Sequence, residues 1–182
     1  MNFKKWLLEM RNVRYDFSST QVDVPEELAK RIMDWGKENI PDSILYENDD
    51  DRSLGREDEM HVTVLYGVHS AYPNKVKKSL KQTKKAKVKL GKLKAFTNPD
   101  KFDVIFVDVE SPDLHKINQK LRNEIPFTNK YDEYKPHVTI AYLKKGESQK
   151  YVGIDLFKDE EFVCDYIVFS SKDGKKTKIN IG

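Results

Sequence analysis

Apolar residues along the chain recur at two spacings. The alternation of a strand marks residues 20–24 and 86–95, and residues 102–109, 136–143, 162–170 and 176–181 also read as strands. It also marks His61-Val62-Thr63-Val64-Leu65-Tyr66-Gly67-Val68, a run rich in β-formers and closed by Gly67. The helical spacing joins Leu28, Ile32 and Trp35, behind Pro25 and an acidic first turn of Glu26 and Glu27, and it stops at Pro41. It returns in Leu114, Ile117 and Leu121, between Pro112 and Pro126. Residues 3–11 and 73–85 also have helical composition. Trp35 is expected in the core, and Asp173-Gly174 is expected to turn a closing hairpin. No low-complexity linker interrupts this mixture. The pattern predicts an α+β fold in one domain over residues 1–182.

Composition narrows the class. Of 182 residues, 38% are apolar, 11% aromatic and 35% charged, so the chain has a core to bury and a heavily charged surface. A domain of this size buries roughly 70% of its unfolded surface. Apolar runs are as short as Val104-Ile105-Phe106-Val107, which excludes a membrane-spanning helix. Trp6-Leu7-Leu8 is too short for a secretory core segment. A lone cysteine, Cys164, excludes an internal disulfide and a multi-cysteine metal site. A reducing, cytoplasmic location is expected.

Charge is unevenly placed. Residues 1–60 carry nine basic and fifteen acidic side chains, while residues 74–94 hold ten lysines and no acid. The lysines read either as a solvated face or as a surface for a polyanion such as RNA. Lysine without arginine weakens the second reading, because guanidinium grips phosphate in a bidentate fork. The acidic stretch over residues 47–59 does not fit a calcium loop. With Gly55 at the turn, the ligand positions would fall on Asp50, Arg52, Leu54 and His61. It reads instead as a mobile acidic loop pivoting on Gly55, running directly into His61 and placed to act as a lid.

Two segments match each other. His61-Val62-Thr63-Val64-Leu65-Tyr66 is echoed by His137-Val138-Thr139-Ile140-Ala141-Tyr142, 76 residues later. Each copy is expected to be followed by a helical segment and further strands, and such a repeat predicts two similar lobes about a pseudo-two-fold axis. Positions i and i+2 of a strand share a face, so His61 lies with Thr63 and His137 with Thr139. Val62, Val64, Val138 and Ile140 then face a core. Brought together, the strands line one groove with two imidazoles and two hydroxyls. Such a set can move protons near neutral pH and hydrogen-bond phosphate oxygens without a metal. A single His-x-Thr is commonplace in strands; its duplication in matching context points to chemistry. Zinc on His61 and His137 would lack an evident third ligand, since His69 and His115 lie outside the repeat and are expected on the surface. No metal and no cofactor are expected.

The paired motifs resemble the two H-x-[ST] signatures of the 2H phosphoesterase superfamily, which includes bacterial 2′–5′ RNA ligase-like proteins, cyclic phosphodiesterases and phage anti-CBASS nucleases. Pro136, before the second histidine, is similar to the family pattern; Glu59-Met60 stands before the first. The resemblance covers residues 20–171 and implies that residues 1–19 are an N-terminal extension. It implies two lobes of antiparallel sheet backed by helices, with the active site in a groove between them. It implies that His61 and His137 are the acid–base pair and that Thr63 and Thr139 hold the scissile phosphate. The implied activity is metal-independent cleavage of RNA-type phosphodiesters, with an anti-CBASS role among the possibilities. The substrate is either a 2′,3′-cyclic phosphate opened by water or a 3′–5′ cyclic oligonucleotide cut by its own 2′-OH.

Further residues are candidates for substrate binding. Tyr66 and Tyr142 stand five positions after each histidine, an odd offset that turns them from the groove unless a bulge intervenes. Lys135 and Lys144 flank the second motif, and Tyr15 and Phe17 are candidates to stack on a base. Expected partners are a cyclic nucleotide, a cyclic oligonucleotide or an RNA end, with a monomeric protein and no membrane. The competing readings are a non-catalytic nucleotide- or RNA-end-binding module of the same fold, and an RNA-binding protein using the lysine-rich face.

Overall fold

The alternating segments pair into one antiparallel sheet. A computed structural model of the chain describes residues 17–47, 55–97, 101–129 and 131–182. Its strands are β1 (Ser18–Asp23), β2 (His61–Val68), β3 (Ala86–Thr97), β4 (Phe102–Glu110), β5 (His137–Lys144), β6 (Glu161–Cys164), β7 (Tyr166–Ser170) and β8 (Lys176–Asn180). Their order across the sheet is β6-β3-β4-β5-β2-β1-β7-β8. Three α-helices accompany them among the described residues: α1 (Glu26–Asn39), α2 (Asn74–Ser79) and α3 (Pro112–Glu124).

The two expected lobes are the halves of this sheet rather than separate sheets. β6, β3, β4 and β5 form one half; β2, β1, β7 and β8 form the other. A single registered pair, Val62 with Val138, joins them. Each half contains a strand–helix–strand unit, β1–α1–β2 in one and β4–α3–β5 in the other. The helices reach across the seam: α1 packs behind β5, and α3 packs behind β2 as well as behind β3 of its own half. A methyl group on Gly36 of α1 would stand 2.9 Å from Ile140 Cγ2, so the missing side chain lets α1 lie close to β5.

Local chemistry explains the helices. α1 buries Leu28, Ala29, Ile32 and Gly36 on one face and keeps Glu26 and Glu27 in its first turn. Arg56 closes its far end, with Nε donating to the Gly36 carbonyl at 3.2 Å and Nη2 donating to the Ile40 carbonyl. Ser111 caps α3 by accepting from the Leu114 amide at 3.1 Å, and Pro112 opens the first turn. Val62, Val64, Val138 and Ile140 are buried, as the alternation requires.

Four expectations change. Residues 162–170 are two strands, not one. β6 pairs with β3 and β7 pairs with β1, so Asp165 alone separates strands in opposite halves of the sheet. The sheet therefore curls into a half-barrel. Two apolar runs, Phe162-Val163-Cys164 and Tyr166-Ile167-Val168-Phe169, flank the single Asp165, so the sequence holds no turn signal to reveal the change of partner. The helix expected over 73–85 ends at Ser79, and Gln82 adopts φ 65° shortly after. Beyond Val76 and Leu80 that stretch has no apolar stripe to bury. Trp35 is half-buried at the rim of the core, edge-on to Tyr151 at 6.0 Å. The second histidine strand is followed only by a 3-10 turn, Gln149–Tyr151. The expected helix over 3–11 and Tyr15 lie outside the described residues, as does the loop over 48–54. The closing hairpin forms as expected, with Gly174 at φ 80°.

Candidate active site

The pair Val62–Val138 fixes the geometry of the repeat. In an antiparallel register about it, His61 stands across from Thr139 and Thr63 across from His137. All four side chains share the sheet face opposite the valines, and all four are half-buried. The structure thus brings together the four residues picked out by the repeat.

Both imidazoles are held the same way. His61 Nδ1 lies 2.8 Å from the Glu59 carbonyl, and His137 Nδ1 lies 2.7 Å from the Lys135 carbonyl. A carbonyl only accepts, so each Nδ1 carries the proton. In the neutral ring, Nε2 is left as the basic nitrogen. Their surroundings differ. Phe96 and Phe106 stack on each other at 4.2 Å, and each ring lies 5.0 Å from that of His137. Burial is the main cause that lowers the His137 pKa below the ordinary histidine value; the backbone bond opposes it, His61 adds to it, and Asp108 opposes it.

Matching bulges turn the tyrosines. The β1–β2 register slips between Thr20 and Gln21, so Val64 is extra; the β4–β5 register slips between Ile105 and Phe106, so Ile140 is extra. Each slip reverses the alternation after the motif. Tyr66 and Tyr142 therefore return to the histidine face, where regular alternation would have turned them away. Tyr66 is 44% exposed and meets Phe17 edge-on at 6.4 Å. Tyr142 meets Phe102 edge-on at 5.5 Å.

Buried polar side chains secure the first bulge. Asn118 Nδ2 donates to the Val64 carbonyl at 2.6 Å, and the Leu65 amide donates to Thr20 Oγ1 at 3.0 Å. The Tyr134 hydroxyl donates to the Thr63 carbonyl at 3.0 Å. At the second bulge the Glu57 amide donates to the Ile140 carbonyl at 2.9 Å. The described end of the acidic loop, residues 55–57, is thus bound along β5 rather than loose, with the Tyr142 amide donating to the Gly55 carbonyl at 2.8 Å. Glu57 also hydrogen-bonds Tyr142 through its side chain. Its pKa is pushed up to about 7, chiefly by burial and then by Asp58 and Glu59.

Other candidates sit elsewhere. Lys135 pairs with Glu133 at 3.2 Å, and Lys144 Nζ donates to the Ser43 carbonyl at 2.8 Å, so each ammonium group has a protein partner. His115 is exposed and edge-on to Tyr134; His69 is exposed and stacks on Phe17 at 5.3 Å. Of the lysine-rich face, Lys87, Lys89, Lys92 and Lys94 pair with Glu161, Asp159, Asp155 and Asp108, which favours a solvated, ion-paired face. Among the described residues no cluster of three or more His, Cys, Asp or Glu side chains could hold a metal. Nor is any helix there long and apolar enough to cross a membrane.

Asn118, Tyr134, Glu57 and the Phe96–Phe106 pair escaped the sequence reading. Only Phe106 had a local signal, since it shares the alternation of Phe102, Val104 and Asp108 on one face of β4.

The model of the family described as anti-CBASS protein Acb1 matches residues 48–165, well over half of the chain and both motifs. The chain belongs to the anti-CBASS Acb1 family. No curated protein matches the sequence. Solved structures share the fold of the 2H phosphoesterases. TT0787 of Thermus thermophilus aligns with a TM-score of 0.62 at 16% identity, over 91% of this chain and 98% of its own. E. coli LigT complexed with 3′-AMP aligns at 0.59 and 14% identity, over 93% and 96%. Kluyveromyces marxianus Usb1 with uridine monophosphate aligns at 0.53 and 13% identity, over 91% and 97%. In this Acb1-family chain the curled sheet of that fold carries both His-x-Thr pairs side by side at its centre.

Proposed function

We propose that this protein is a metal-independent phosphodiesterase that cleaves a 3′–5′ cyclic oligonucleotide signal through His61 and His137. The observation that carries the reading is the like anchoring of the two imidazoles by Nδ1, each across the strand pair from the other motif's threonine. Membership in an anti-CBASS family favours a cyclic oligonucleotide over a 2′,3′-cyclic mononucleotide.

The chemistry balances without a further reactant. One Nε2 takes the proton of a ribose 2′-OH as that oxygen bonds to phosphorus. The bond from phosphorus to the 5′-oxygen breaks, and the second imidazole, as imidazolium, protonates that oxygen. The products are a 2′,3′-cyclic phosphate and a 5′-hydroxyl on a linearised chain. Thr63 and Thr139 hydroxyls donate to the non-bridging phosphate oxygens, and Tyr66 and Tyr142 border the groove on either side.

The test is turnover of cyclic di- and trinucleotides, 2′,3′-cyclic mononucleotides and a short RNA in EDTA, beside His61→Ala and His137→Ala. Cleavage of a cyclic oligonucleotide in chelator, lost in both variants, supports the reading. Tight binding with no turnover replaces it with a nucleotide-binding module.

A further inference from the structure

Each histidine has an aspartate directly across from it on the neighbouring outer strand. Asp23 of β1 pairs in register with His61, and Asp108 of β4 pairs with His137. Directly opposed residues share a face with Cβ atoms about 5 Å apart. The two aspartates occupy like positions, each near the end of the first strand of its strand–helix–strand unit. Their own partners are unlike. Lys94 Nζ lies 2.5 Å from Asp108 Oδ2, whereas Asp23 Oδ1 accepts from the neutral amide of Gln21 at 3.0 Å.

We propose that Asp23 and Asp108 are positioning residues that set the charge of the two imidazoles, and that Lys94 makes them unequal by neutralising Asp108. Asp23 keeps its full charge beside His61 and stabilises its imidazolium. Asp108, offset by Lys94, gives His137 little such support, and the Phe96–Phe106 wall removes water from that ring. His61 then rests as the proton donor and His137 as the proton acceptor. The lowered His137 pKa, whose chief cause is burial, fits the Phe96–Phe106 wall.

The remaining charges around the two rings leave this difference standing. Glu59, two residues before His61, is ion-paired with Lys176 of β8. Lys135, two residues before His137, is paired with Glu133. Glu57, beside β5, is bonded to Tyr142 and titrates near 7.

The proposal refines the acid–base reading above, yet it can be tested without turnover. Imidazole titrations by NMR in wild type, Asp23→Asn, Asp108→Asn and Lys94→Met read each ring separately. Asp23→Asn is expected to lower the His61 midpoint by about one pH unit and leave His137 in place. Lys94→Met is expected to raise the His137 midpoint, and adding Asp108→Asn to cancel that rise. Asp23→Glu restores His61. On a cleaved substrate, the alkaline limb of kcat/KM follows the His61 midpoint downward in Asp23→Asn. Equal movement of both rings in Asp23→Asn, or none in either Asp23→Asn or Lys94→Met, overturns the proposal. Lys94→Met keeps the test open if the aspartate variants misfold. Shifted titrations in a protein that cleaves nothing would sink the phosphodiesterase reading and leave this one standing.

Discussion

Asn118, on the helix of one half of the sheet, donates at 2.6 Å to the carbonyl of Val64, the extra residue in the histidine strand of the other half. A bulge frees a backbone group from the ladder, and a freed buried group needs a partner. Asn118 is 6% exposed and supplies it from behind the sheet. The contact links core packing to the groove, because this bulge turns Tyr66 back onto the face of His61.

Asn118→Ala should therefore do two things. The Val64 carbonyl is left buried without its partner, at a cost of about 1–3 kcal/mol. Equilibrium denaturation should show that loss. Substrate binding should weaken as well, through the displaced Tyr66, while Asn118→Asp should not restore stability because it cannot donate when ionised.

Gly67 sets a second constraint on the same strand. It adopts φ 85°, and a Cβ there would lie 1.8 Å from the Thr128 carbonyl oxygen. That oxygen belongs to a backbone segment bonded to β2, with the Thr128 amide donating to the Gly67 carbonyl at 2.9 Å. Neither backbone segment can yield cheaply. Gly67→Ala is expected to destabilise by about 2–4 kcal/mol, measured by denaturant titration. An unchanged midpoint would refute the close approach.

Glu57 predicts a pH dependence of stability with a definite sign. Its folded pKa of about 7 lies above the ordinary carboxyl value of 4.5. Between these values the folded state binds more protons than the unfolded one, so stability falls as pH rises through this window. The cost is complete above pH 7 and is on the order of 3 kcal/mol at about 1.4 kcal/mol per pH unit. Glu57→Gln removes it. The variant should be more stable than wild type at about pH 8 and equal to it near pH 4.

Much of this site could be read from the sequence because strand period is strict. His61 with Thr63, and His137 with Thr139, follow from an offset of two, and the burial of Val62 and Val138 follows from an offset of one. Duplication then supplied the reason to set the strands side by side. What escaped is set by pairing, which period does not encode. The bulges that turn Tyr66 and Tyr142 appear only as a slip against β1 and β4. Asp23 precedes His61, and Asp108 precedes His137, by different lengths of chain, so their matching places opposite the histidines become visible only in the sheet. The break at Asp165 is hidden as well, since a single polar residue between two apolar runs carries no turn signal. The partners of Lys135 and Lys144, Glu133 and the Ser43 carbonyl, were likewise not legible, since Ser43 is brought to Lys144 from far along the chain.

The two-histidine account is tested most directly by the pH dependence of kcat/KM for the cleaved cyclic oligonucleotide, in chelator, between about pH 5 and 9. The account predicts a bell. Its acid limb reports protonation of the base and should fall below the ordinary histidine range, since burial lowers the His137 pKa. Its alkaline limb reports loss of the proton from the acid. A flat profile across that range would contradict acid–base catalysis by His61 and His137.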